Sequence, residues 1–152
     1  MTHYPLLFGR RELFEGNGFI AGVTLNVRLL LTDVGSESWV EGVNPGGIVA
    51  KGDTPRQALA EFCLEYRVVL YDIASDAGSF EEFKAEVERF FHDTSPIAAR
   101  EWTTAVEEVR AGKVDADWLR KQPADSPLGI NVVLVQKPQA ANNEEDETAI
   151  AA

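Results

Sequence analysis

With one cysteine and two histidines in 152 residues, the chain has little from which to build a thiolate metal site or a nucleophilic triad. Cys63 lacks a second cysteine for an intramolecular disulfide, which points to a reducing compartment. His3 is expected in a frayed terminus. His92 follows Phe90-Phe91 at a helix end, where a cation would meet exposed carbonyls. No His-x-x-x-His or Cys-x-x-Cys pair is present, so no metal ligand is assigned. No apolar run approaches the ~18 residues of a membrane-spanning helix. Residues 1–20 carry Arg10, Arg11, Glu12 and Glu15 where a signal peptide would have an apolar core. The expected location is the cytoplasm, without a membrane partner.

Cationic residues are also scarce, at 14 Lys and Arg against 25 Asp and Glu, for a formal charge of -11. That balance argues against a broad basic face for direct nucleic-acid contact and favours a basic protein partner. Catalytic signatures are thin as well. Gly-x-Ser-x-Gly is absent, and Gly16-Asn17-Gly18 and Gly46-Gly47 lack the Lys-Ser/Thr of a phosphate loop, so turns account for them. Asp33, Glu37, Glu41, Asp53 and Asp72 are the acids from which a two-metal nuclease would have to be assembled. Each has a simpler role in a turn, on a wet strand face, at a helix cap or on a wet helix side. No catalytic residue and no cofactor is therefore assigned.

What the chain does contain is a dense record of local structure. Asn17-Gly18 between Phe14 and Phe19 signals a tight turn and a first hairpin. Val23, Leu25, Val27, Leu29 and Leu31 alternate with Thr24, Asn26 and Arg28, the period of a half-buried strand. After the Asp33–Ser36 turn, Ser38 to Val43 reads as a second strand, Asn44-Pro45-Gly46-Gly47 breaks it, and Ile48 to Ala50 makes a short third. Connections this short imply antiparallel pairing.

Thr54-Pro55-Arg56-Gln57 then writes a capped helix start, with Leu59, Phe62, Tyr66, Val69 and Ile73 as its apolar stripe, widened by Ala58, Cys63 and Leu70. Cys63 behaves there as a small hydrophobe. Ser79-Phe80-Glu81-Glu82 opens a second helix with Phe83, Val87, Phe90 and Phe91 on one side. Ser95-Pro96 opens a third, with Ala98, Trp102, Ala105, Val106 and Val109, ended by Gly112. A turn over Asp115–Leu119 returns Trp118 to the body. Ile130 to Val135 is a late β-branched strand.

The segment Gly52-Asp53-Thr54-Pro55-Arg56-Gln57-Ala58, entered from a short strand and preceded by a strand pair with a glycine-containing loop, resembles the HicB-like antitoxin family over about residues 23–75. The resemblance implies a partial ribonuclease-H-like fold that neutralises a small basic RNA-cleaving toxin, often as an oligomer. Family members commonly add a DNA-binding domain, whereas residues 76–152 show no helix-turn-helix with a basic recognition helix.

The fold expected is α+β, an antiparallel sheet of three to five strands with helices packed on one face. Residues 1–137 form a single domain, and 138–152 form an acidic disordered tail containing Glu144 to Glu147. The expected role is non-catalytic protein binding, with Trp39, Glu41 and Asn44 as contact residues. A homo-oligomer is expected, and a self-assembling structural or adaptor protein is the alternative. A metal-dependent hydrolase ranks below both.

Overall fold

A computed structural model describes residues 1–119, 129–135 and 146–151. Strand β1 runs from Thr2 to Glu15 and β2 from Ile20 to Asp33, two 14-residue strands joined by the turn at Gly18, where φ is +80°. They pair antiparallel in unbroken register, from Thr2 opposite Asp33 to Glu15 opposite Ile20. The Asn17-Gly18 signal thus marks a hairpin longer than the sequence suggested. The alternating strand and the apolar run before it are one element. His3 is accordingly not frayed: it sits in β1, with Nδ1 2.9 Å from Thr32 Oγ1 on the facing strand.

Strand β3 (Ser38–Asn44) adds to the far half of β2, from Leu29 to Asp33, and β4 (Val49–Gly52) adds to β3. Helix α1 (Pro55–Asp76) follows at once, with Thr54 Oγ1 accepting the Gln57 amide. Gln57 reaches back one residue further than a standard capping box, accepting the Asp53 amide at 2.8 Å. Helix α2 (Phe80–His92) repeats the device, with Ser79 capping the Glu82 amide and Glu82 accepting from Gly78. Helix α3 (Pro96–Arg110) is capped by Ser95, and Gly112 turns the chain away with φ +74°. Strand β5 (Gly129–Val135) lies along the near half of β2, from Ile20 to Asn26.

The backbone of β6 (Asp146–Ala151) lies along the other edge of β1, opposite Leu6 to Arg11. These six residues of the acidic stretch thus have strand backbone, while 138–145 and 152 lie outside the described residues. The physical reason is that an uncovered edge of β1 offers a row of backbone donors and acceptors, which a segment poor in apolar side chains can pair with as well as a rich one. With β6 the antiparallel sheet runs in the order β4-β3-β2-β1-β6, with β5 also on β2.

The class is α+β, but the helices do not share one face. Helices α1 and α2 cover the face bearing Leu6, Phe8, Phe14, Val23, Leu25, Val27, Leu29, Leu31 and Val40, all buried. Helix α3 covers part of the opposite face, packing Ala98, Trp102, Ala105 and Val106 on Leu7, Leu30 and Val43. The reason lies in the uninterrupted apolar triplets Leu6-Leu7-Phe8 and Leu29-Leu30-Leu31. A period of two sends the middle residue of each to the other side, where it must also be covered.

Gly52 lets β4 lie close against α1, and Gly42 lets β3 lie close against the loop that follows it. A Cβ on Gly52 would stand 2.6 Å from the Ala58 amide in the first turn of α1, and one on Gly42 would stand 2.1 Å from the Pro45 carbonyl oxygen. The strand can therefore run directly beneath the helix that follows it.

Candidate partner-binding surface

The α3-side face continues beyond α3 into rows of residues that sit opposite one another across β1, β2, β3 and β4. One row is His3, Thr32, Trp39 and Lys51. Period two puts Trp39 on this face because its neighbour Val40 is fully buried under α1 and α2. Trp39 is 37% exposed, and its indole N–H donates to Glu37 Oε1 at 3.1 Å. Lys51 Nζ stands 5.6 Å from the Trp39 ring centroid, within cation–π range. The ring is thus fixed from two sides and still faces solvent. Register alone would have revealed Lys51 as its neighbour, since the residue opposite an exposed strand residue shares its face. His3 and Lys51 join this row because β1 begins at Thr2 and β4 runs on to Gly52, two residues past the expected strand end at Ala50.

Glu41 lies in the next row, with Pro5, Leu30 and Val49, on the same face. It is half-buried rather than solvated. Burial raises its carboxyl above the ordinary carboxylate value, the nearby Glu101 on α3 raises it further, and His3 acts in the opposite direction. Asn44 behaves differently. The register shifts between Arg28 and Leu29, so Val43 and Asn44 both lie where β2 offers one partner. The Asn44 amide donates to Thr94 Oγ1 in the loop before α3. Trp39 and Glu41 are therefore brought onto one surface, whereas Asn44 is engaged in tying β3 to the α2–α3 connection.

The acids considered for metal chemistry are dispersed. Asp33 Oδ1 accepts the Gly35 amide in its turn, Glu37 holds Trp39, and Asp53 and Asp72 are exposed at the start and on the outer side of α1. Among the described residues no group of three or more His, Cys, Asp or Glu side chains could hold a metal ion. His92 is the last residue of α2, exposed and edge-on to Phe91. It lines an open groove of about 740 Å³ with Ile73, Glu86, Arg89, Phe90 and Asp93.

A second charged group lies in the core under α1. Arg10 and Glu12 are 4% and 5% exposed on the apolar face of β1. Arg10 Nε is 3.5 Å from Glu12 Oε2, and Arg67 on α1 pairs with Glu12 Oε1. That pairing keeps Arg67 firmly charged. Burial pushes the Cys63 thiol and the Tyr66 hydroxyl upward despite the arginines beside them, so both stay neutral at physiological pH. The group acts as a clamp between β1 and α1.

Comparison with protein-family models, with curated proteins and with solved structures returns no match. Among the described residues no helix is long and apolar enough to cross a membrane. The surface must therefore be read from its own chemistry: a braced, half-exposed indole beside a carboxylate whose charge is disfavoured by burial, at the open end of the β3–β4 ribbon. Such a combination of aromatic contact area and nearby charge is suited to binding another macromolecule.

Proposed function

We propose that this chain is a non-catalytic binding module which, as its HicB-like segment implies, silences a small basic RNA-cleaving protein by covering the latter's working surface. The observation that carries the reading is Trp39, an aromatic held in place by Glu37 and Lys51 while more than a third of its surface stays open to a partner. A preset aromatic loses little freedom on binding and supplies much contact area. Glu41 beside it is suited to meet a cation, because a partner's Lys or Arg would offset the burial and the Glu101 repulsion that raise its carboxyl. The overall charge of -11 speeds encounter with a basic partner.

The test is co-expression with a small basic protein encoded in an adjacent reading frame. A complex should co-purify and RNA cleavage by the partner should be suppressed. Trp39→Ala and Glu41→Lys should each weaken the complex at least tenfold, about 1.4 kcal/mol or more. Failure of the wild-type chain to bind or inhibit such a protein overturns the reading. Unchanged affinity in both variants moves the contact surface elsewhere.

A second reading, a self-assembling or adaptor protein, draws on β5. Val133 and Leu134 are 46% and 51% exposed on a strand that has β2 as its one paired strand among the described residues. Light scattering on the isolated chain separates the two: a stable homo-oligomer with no basic partner favours assembly.

A further inference from the structure

The outward side of α1 has an unusual composition. The helix buries Phe62, Cys63, Tyr66, Leu70 and Ala74 beneath it, yet Leu64, Val68 and Tyr71 are 52%, 56% and 45% exposed. At about 100° per residue these three fall within one narrow stripe, almost opposite the buried one. An exposed apolar residue is ordinary, but three at i, i+4 and i+7 form the contact line by which one helix meets another. Tyr71 is also braced, edge-on against Phe14 with ring centroids 4.9 Å apart.

The flanks of the stripe differ. Glu61, Glu65, Asp72 and Asp76 are exposed and fall along one side of it. Among the described residues none of the four forms an ion pair. On the other side Arg67 is engaged with Glu12. Moreover, α1 ends without a basic residue in its last turn, so Asp72 and Asp76 sit at the negative pole of the helix, where carboxylates are unfavourable. A cation arriving there relieves both. A second copy of this chain fits poorly: an antiparallel two-fold pairing of α1 with itself would set acidic flank against acidic flank.

We propose that the outward face of α1 docks an amphipathic segment of a partner protein, with an apolar stripe flanked on one side by Lys or Arg. This surface is on the opposite side of the sheet from Trp39, and the proposal stands whether or not the partner at Trp39 is a ribonuclease.

The test titrates the isotope-labelled full chain with a synthetic helical peptide carrying Leu at i, i+3, i+4 and i+7 and Lys along one flank, followed by amide chemical shifts. Perturbations should centre on residues 61–76 and weaken with salt. Affinity should fall about tenfold in Val68→Asp and in the double variant Glu61→Lys, Glu65→Lys. These positions are exposed, so the fold should be retained and the untitrated spectrum serves as the check. Equal binding of a Glu-flanked peptide, or perturbations centred away from α1, would overturn the proposal. So would α1 shifts that depend on protein concentration without peptide, which would assign the face to a second copy.

Discussion

The two faces of the sheet are built from the same strands and differ in what the helices ask of them. On the α1–α2 side, a broad apolar layer surrounds a buried ionic clamp formed by Arg10, Glu12 and Arg67. On the α3 side, a small cluster around Trp102 gives way to Trp39, Glu41 and His3, which stay partly open. Even the cations are used differently. Arg67 meets a carboxylate, whereas Arg28 lies over the Trp102 ring, 4.6 Å from its centroid. One face buries a broad apolar layer, and the other leaves an indole and a carboxylate partly uncovered.

The strongest way to break this contrast is to remove a large side chain from each side. Phe62→Ala empties a site 1% exposed in the larger core and should cost about 3–5 kcal/mol by urea denaturation, with global loss of cooperativity. Trp102→Ala should cost about 3 kcal/mol, and its signature should be local: faster hydrogen exchange in α3 with β1, β2 and α1 still protected. Equal, global effects from the two variants would mean that the faces form one cooperative unit.

Next in size is the clamp. Glu12→Gln leaves Arg67 without its carboxylate at a side chain 6% exposed and should cost about 2 kcal/mol in the same assay. The exposed Arg89–Glu86 pair is the matched control, and Glu86→Gln should leave stability unchanged within error.

The smallest effect sharpens the open face. Because the folded state raises the Glu41 carboxyl above its unfolded value, folding is favoured by protonation there. Its ionisation therefore lowers stability as pH rises from the ordinary carboxylate range through the raised folded value. Glu41→Gln should flatten that decline and leave the variant relatively more stable at neutral pH, as read by thermal melts at pH 4 and pH 7. A steeper decline in the variant would show that the carboxylate is stabilised instead.

Much of this architecture could be read from local chemistry. The caps at Thr54, Ser79 and Ser95, the Asn17-Gly18 turn and the alternation from Val23 to Leu31 were all visible, because each depends on a few neighbouring residues. The rest depends on parity and on distant partners. Arg10 and Glu12 look like surface residues until they are counted in steps of two from Leu6, Phe8 and Phe14, which places them in the core. Leu7 and Leu30 carried the signal for a helix on the second face, hidden within runs that read as one apolar block. The Asp146–Ala151 ladder had no such signal, since backbone pairing writes little into side-chain sequence. At the candidate surface, strand alternation puts Trp39 and Glu41 together on the face away from α1. Asn44 was drawn elsewhere by a bulge that alternation cannot foresee.

Strand β2 borders β1 along its whole length and divides its other edge between β3 and β5, the two ladders meeting on either side of Val27. Early and late portions of the polypeptide are therefore zipped to a common rail, so continuity of the covalent thread is not their sole bond. The turn at Gly112, far along the chain from the hairpin, becomes a natural seam: two separately made pieces divided there retain complementary edges by which to find each other.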